Sequence, residues 1–329
     1  EIVREKKELE EIFDNLVEGF DVTLINAGTS SGTEDYTEEV IKKSGKILFH
    51  GISMMPGKPT IFGIVKGKPV FGIPGYPVSA TLSFLMLLVP LFERLMGIKR
   101  FFEEIEVTTA FKIPSRIGIE EIIRVNIIPK RDFYFAIPLP RGASVFSSMA
   151  KADGLIVVPE HIEGFDEGER IRCILLKSSS YIKNRINLIG SHDIALDILR
   201  DVIRERYPEI DFMATPTGSL SGIMALKRGI TGLCTSHILD EKEKIYNIPL
   251  IKKYLKDTPC ILINLVKRIQ GLIVQKGNPK GIKGIEDLIK EDVFFVNRQF
   301  GSGTRILFDT LLKEKHIKKS QIKGYDREE

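Results

Sequence analysis

The sequence predicts a multidomain α/β chain: an α/β domain, a small β-barrel domain, then a second α/β domain that breaks off before it is complete. Three observations carry this. Residues 21–45 run as a strand, a glycine-serine loop and a helix. Residues 101–177 fall into five short strands broken by Pro and Gly. From residue 186 a strand that stops at a small-residue loop and turns into a helix recurs three times. At 329 residues the chain is long enough for two or three domains, each with its own core.

Taken in order, residues 8–19 carry Leu9, Ile12, Phe13 and Leu16 on one stripe and stop at Gly19, the pattern of an amphipathic helix. DVTLIN (21–26) is a β-branched strand that ends in AGTSSGTED, and TEEVIKKSG is the helix after it. KILFHG is the next strand, and TIFGIV and PVFGIP flank the turn Lys66-Gly67-Lys68. A helix from Val78 to Met96 closes the first domain, 1–97, at Gly97. IEVTTAFKI, EEIIRVNIIP, FYFAIPL, GLIVVP and RIRCILL then make the β domain, 98–177. The serine-rich KSSSYIKN reads as a linker, 178–185, and the second α/β domain fills 186–329, with a further lobe starting near GLIVQKGNPKGIKGIEDL. A charged first segment without an initiator Met, and a last lobe with one strand and few helices, predict that the sequence is a piece of a longer protein.

Lys plus Arg number 48 and Asp plus Glu 44, a balance that argues for neither nucleic acid nor membrane. Cys173, Cys234 and Cys260 lie far apart with no metal-ligand spacing, as expected of reduced thiols in a cytoplasmic protein. The longest apolar run, Val78–Phe92, contains Thr81, Ser83 and Pro90 and is shorter than the roughly 18 residues of a membrane span, so a buried helix is expected there.

Chemistry concentrates in a few loops. Gly28 and Gly32 let backbone approach a ligand, and Thr29, Ser30 and Ser31 set hydroxyls beside free N–H groups at a helix start, which suits phosphate or another oxyanion. Equally, Asp35 with Glu38 three residues on is a capping box that any helix uses. Lys58, held between prolines in PGKP, is either an aimed ammonium or a solvated turn lysine. Pro74-Gly75-Tyr76-Pro77 before Ser79 is a stiff wall or only a helix start. In the second half Ser191, Ser219, Ser302 and Thr304 each stand where a helix begins, and Arg298 or Arg305 could add charge. Serine is also the commonest N-cap, and His192 and His237 are equally compatible with structural roles.

NAGTSSGTEDYT, HGISMMPGKP and FGIPGYPVSATLSF, in this order and spacing, resemble the molybdopterin molybdenumtransferase family of MoeA type, and ASVFSSMAKADGLIVVP resembles its C-terminal β domain. The resemblance covers about residues 8–177 and implies a MoeA/MogA-like α/β fold followed by the β barrel. It puts Asp35 at the active-site aspartate beside Mg²⁺ or molybdate, Lys58 at the motif lysine, Pro74, Pro77 and Ser79 in the proline loop, and Ser147 or Ser148 at the cleft. It further implies insertion of molybdate or tungstate into adenylylated molybdopterin with release of AMP, in a homodimer, so that this chain alone would turn over little. Two positions depart from the family: Met55 where lysine is common, and Tyr76 where asparagine stands between the prolines.

TGSLSGIMALKRG, LCTSHILD and NRQFGSGTR resemble the periplasmic-binding-protein-like domain, type 2, fused behind some MoeA proteins. That implies an oxyanion or small-ligand site, with Ser219, Ser302, Thr304 and Arg305 first and His237 next. The rival reading is a non-catalytic binding or sensing module on a MoeA-like scaffold. DNA-linked regulation is a third, which the absence of a helix-turn-helix pattern and the mild charge do not support.

Overall fold

The computed structural model describes residues 6–26, 36–98, 102–240, 243–298 and 302–328. It divides into two units, 1–185 and 186–329, each with its own packing.

In the first unit α1 (Lys6–Gly19) leads into β1 (Thr23–Asn26), α2 (Thr37–Ser44), β2 (Gly45–His50), β3 (Met54–Met55), β4 (Ile61–Val65) and β5 (Lys68–Ile73). The sheet order is β1-β5-β4-β2; β1 is parallel to β5, and β5, β4 and β2 run antiparallel. Alternation along the strands splits the core in two. Ile61, Val65 and Val70 bury against Phe13 and Val17 of α1 and Val40 and Ile41 of α2. Phe71 and Ile73, with Phe62, pack on the helical segment after β5. That segment is α3 (Pro77–Ser83), a π-turn stretch at Phe84–Leu88, and α4 (Val89–Met96). Pro90 has no N–H to give the preceding turn, which accounts for the widened winding just before it.

The helix expected from Val78 to Met96 is present, and the expectation that it is buried is corrected. The continuous helix Pro77–Met96 has 20 residues, long and apolar enough by length and composition alone to cross a membrane, and only 33% of its most apolar stretch is buried. Its inner face, Val78, Leu82, Leu88 and Val89, packs as a core helix does, while Leu95 and Met96 are exposed.

The next strands are β6 (Glu104–Thr109), β7 (Ile113–Pro114), β8 (Glu120–Pro129) and β9 (Tyr134–Pro138), then α5 (Phe146–Lys151), β10 (Gly154–Val158), β11 (Gly164–Phe165) and β12 (Arg170–Leu175). Strands β10, β12, β6, β9 and β8 pair in that order, and β10 pairs back onto β8, closing a five-stranded barrel with no free edge in its wall. Val107, Ile123, Val125, Ile127, Ile156 and Cys173 fill it. Burial pushes the Cys173 thiol up to about 12, so it is an inert core residue. β3, on the PGKP loop of the α/β domain, adds parallel to β8 and stitches that loop to the barrel.

Residues 178–185 are not a free linker. They form α6 (Ser179–Lys183), whose N-cap Ser178 accepts from the Tyr181 N–H, and Ile182 is fully buried in the barrel core. The reason lies in the next turn: the Arg185 guanidinium meets the fully buried Asp153 carboxylate, donating from Nη2 at 2.9 Å and pairing again through Nη1. Asp153 also accepts from the Ile127 N–H at 2.9 Å and from Lys177 at 2.9 Å.

The second unit starts on β13 (Arg185–Gly190), followed by α7 (Ile194–Arg206), β14 (Asp211–Pro216), α8 (Ser219–Lys227) and β15 (Leu233–Thr235). The sheet order is β14-β13-β15, with β13 and β15 parallel. Leu188, Leu196 and Phe212 form the core between α7 and this sheet. After α9 (Ile248–Tyr254), residues 259–275 form no regular element. A 3₁₀ turn at Ile285–Ile289 precedes α10 (Gly303–Glu314). The strand expected before NRQFGSGTR is absent over residues 293–298, which make one bridge, Asn297 to Glu328, and backbone bonds from Phe295 and Asn297 to residues 323 and 327. Leu288, Val293, Phe308, Leu312 and Tyr325 make a separate core there.

Removing one member of a buried ion pair strands the other, at a cost of about 3–5 kcal/mol. Asp153→Ala is expected to lower the unfolding free energy of the first unit by that much in urea titration; a loss below about 1 kcal/mol would contradict the pairing described.

Candidate functional site

Two sets of functional side chains emerge, one in each unit. In the first, the PGKP loop, the PGYP helix start and the loop before α5 lie together. Thr60 donates to the Gly57 carbonyl at 2.7 Å and its hydroxyl meets Ser83 of α3 at 2.9 Å, which holds the PGKP loop on the helix. The Val78 N–H donates to the Ala143 carbonyl at 3.2 Å, joining the start of α3 to the loop before α5. On this frame Lys58 is exposed, Pro74 and Ser79 are buried, and Pro77 is exposed as the first residue of α3. Of the serine pair, Ser148 is buried and gives its hydroxyl to the Val145 carbonyl at 2.6 Å, whereas Ser147 faces solvent. Gly28, Thr29, Ser30, Ser31, Gly32 and Asp35 lie outside the described residues. Glu38, the other half of the expected capping box, pairs with Lys42 and with His50 at 3.0 Å. Lys42 first and then His50 hold its carboxyl below the usual range.

The structure adds two residues that sequence reasoning passed over. Arg124 and Asn126 are each 3% exposed on β8, and Arg124 Nε and Asn126 Oδ1 are buried without a partner. Arg124 Nη2 donates to the Pro140 carbonyl at 3.0 Å and reaches that of Gly142 at 3.4 Å, in the loop that leads to α5. Burial is the main pull on its guanidinium, with Arg141 acting in the same direction and Glu121 opposing. The available signal was the polar pair inside the otherwise apolar run IIRVNII.

Among the described residues no group of three or more His, Cys, Asp or Glu side chains could hold a metal. The Mg²⁺ expectation therefore stands on Asp35 alone, and no chemical step is derived through the ion.

In the second unit a cavity of about 1670 Å³ is lined by Ser191, His192, Ser219, His237, Arg298, Ser302 and Thr304, which sequence reasoning had picked one by one. His237 is the hub. Its Nδ1 lies 2.6 Å from Ser191 Oγ and 3.4 Å from Ser219 Oγ, and its backbone N–H donates to Ser219 Oγ at 3.1 Å. A Cβ at position 303 would meet His237 Nε2 at 2.6 Å, so glycine at the start of α10 is what lets the ring come so close. Burial chiefly, and Arg268 next, lower the His237 pKa, against Asp193.

The helix starts differ. Asp193 accepts from the Ala195 N–H at 2.8 Å to cap α7, and Ser302 accepts from the Arg305 N–H at 3.3 Å to cap α10. At α8 the cap is Gly218, which offers no side chain, and the hydroxyl of Thr217 beside it is buried without a partner. The amino end of α8 thus keeps its donors for something else.

Arg305, ranked among the first ligands, is corrected. It is 5% exposed and turned inward, donating from Nε to Tyr325 Oη at 3.2 Å and from Nη1 to the Arg298 carbonyl at 3.1 Å, beside Asp309 one turn on at 3.6 Å. His192 lines the cavity with an exposed ring, and its carbonyl accepts from Arg268 at 2.9 Å.

A model of a probable molybdopterin binding domain matches residues 2–94, and one of the MoeA C-terminal region, domain IV, matches 106–176. A PBP superfamily domain matches 200–329. The first half of the chain is thus similar to two regions of MoeA proteins, and the second half to a PBP superfamily domain. Over 181 residues the chain is 35% identical to a protein named for molybdopterin biosynthesis in Methanocaldococcus jannaschii, covering 54% of this chain and 42% of that one. Over 160 residues it is 29% identical to a molybdopterin molybdenumtransferase of Haemophilus influenzae, covering 46% and 38%. A crystal structure of a molybdopterin biosynthesis MoeA protein from Pyrococcus horikoshii matches with 35% identity and a TM-score of 0.45, over 53% of this chain and 42% of that one. The chain spans less than half the length of these relatives.

His237 binds its proton less readily than the unfolded chain's histidine, near 6.5, so the unfolded state holds more protons as pH falls through that value. The stability this residue contributes is therefore present above about pH 6.5 and declines below it. Denaturant midpoints between pH 7.5 and 5 should fall for the native chain and fall less for His237→Gln; equal slopes would contradict the assignment.

Proposed function

We propose that the chain acts in molybdenum cofactor biosynthesis, its first half serving insertion of molybdate or tungstate into adenylylated molybdopterin with release of AMP. The observation that carries this is the packing of the PGKP loop, the PGYP helix start and the loop before α5 into one rigid frame, joined through Thr60–Ser83 and Val78–Ala143. On that frame the exposed Lys58 ammonium serves as a point charge for a phosphate or molybdate oxygen. Catalysis here is mainly the holding of anions in place, so loss of alignment costs rate more than loss of any one contact. The reading carries with it Mg²⁺ at Asp35, a homodimer and a cytoplasmic location, and it makes the second half the binding domain for an anion or small ligand that serves the first.

A second reading, a non-catalytic binding module on a MoeA-like scaffold, draws on Met55 and Tyr76. They are 38% and 63% exposed at positions where the family commonly has lysine and asparagine. With one cation fewer, the pocket should hold an anionic pterin more weakly by about 1–3 kcal/mol.

The test is molybdopterin binding and molybdate insertion by the longer protein that contains this chain. Lys58→Ala is expected to weaken binding about ten- to a hundredfold. Met55→Lys is expected to tighten it. Insertion that is absent in the native protein and in both variants, with pterin binding intact, would favour the scaffold reading; unchanged binding in Lys58→Ala would overturn the role of the loop.

A further inference from the structure

The cavity of the second unit is about 1670 Å³. A tetrahedral oxyanion has five heavy atoms. At about 30 Å³ for each water-sized group it fills on the order of 150 Å³, roughly a tenth of the space. The lining is also divided in character. At one end Ser191, Ser219, His237, Ser302 and Thr304 gather around the uncapped start of α8, with the Thr217 hydroxyl unpartnered beside them. Elsewhere the wall is Leu272, Ile282, Ile285, Phe295 and Phe308, which belong to the separate apolar core of residues 272–325. Arg268, Lys280, Lys283 and Arg298 stand in the lining, and no Asp or Glu does among the described residues. Such a cavity disfavours a cation or a neutral sugar, for which paired carboxylates are the usual partners, and an apolar wall is wasted on a bare inorganic ion.

We infer that this cavity binds a small organic anion, its charged head at the start of α8 among Ser219, Ser302 and Thr304 and its flat or apolar body along Leu272, Ile285 and Phe295. The inference rests on the reading of the second half as a ligand-binding domain and narrows its ligand from an oxyanion in general to an organic one. Neutral hydroxyls and N–H groups can hold the head without a full countercharge, because the helix end supplies partial positive charge. The body adds affinity that an inorganic ion lacks, through the apolar area it removes from water.

The test is calorimetric titration of the full chain with AMP and with pterin-6-carboxylate as organic probes, beside molybdate and inorganic phosphate. Two variants locate the site. Ser221→Asp puts a carboxylate in the first turn of α8, where a helix tolerates it well, and fills the anion end with negative charge. Leu272→Ser trims the apolar wall. At least one organic probe should bind tenfold or more tighter than both inorganic ions. Ser221→Asp should weaken that binding at least tenfold, and Leu272→Ser should weaken it while leaving any inorganic binding unchanged. Inorganic ions that bind as tightly as either organic probe, and are lost in Ser221→Asp, would overturn the inference and leave the binding-domain reading standing. Organic binding indifferent to both variants would place it elsewhere and overturn the inference. No binding of any probe would overturn both.

Discussion

A helix that begins where a strand ends leaves its first N–H groups without internal partners, and the second unit of this protein is arranged around how that need is met. Asp193 and Ser302 satisfy the starts of α7 and α10 from within. Gly218 leaves α8 open, and His237, bonded to Ser191 and Ser219, pins the loop after β15 across the loops that follow β13 and β14. The open helix end, the neutral imidazole and the surrounding cations follow from one another.

The first unit rests on a different constraint. A small barrel with a fully buried aspartate folds only if that charge is matched, and Arg185, Lys177 and the Ile127 N–H match it. This is why the serine-rich stretch 178–185 folds down as a helix, although its composition is that of a linker. Closure of the barrel in turn fixes β8, and β8 takes the two residues of β3 as a neighbour, so the PGKP loop is held at both ends.

Much of this was legible in the sequence. The strand-loop-helix units, the five barrel strands and the dense proline-glycine stretch are local signals, and Ser191, Ser219 and His237 are legible because each stands at a loop that follows a strand. What was not legible depends on distant partners. Arg305 looks like a ligand because it follows GSGT, and Tyr325, brought back by the turns after α10, together with Asp309 one turn on along α10, reveals it as buried structure. Arg124 and Asn126 sit in a strand whose neighbours are all apolar, and their burial follows from barrel closure, which single-strand alternation does not encode. FFVNR reads as a strand by propensity and makes one bridge, at Asn297, instead of a ladder.

Hydrogen exchange of the full chain, with and without AMP or pterin-6-carboxylate in excess, would test the central claim most directly, because the open start of α8 is a set of backbone amides. Slowed exchange in residues 219–222 with at least one of the two anions is the expected result. Unchanged exchange there with both, or slowing confined to residues 6–176, would contradict an anion site at that helix end.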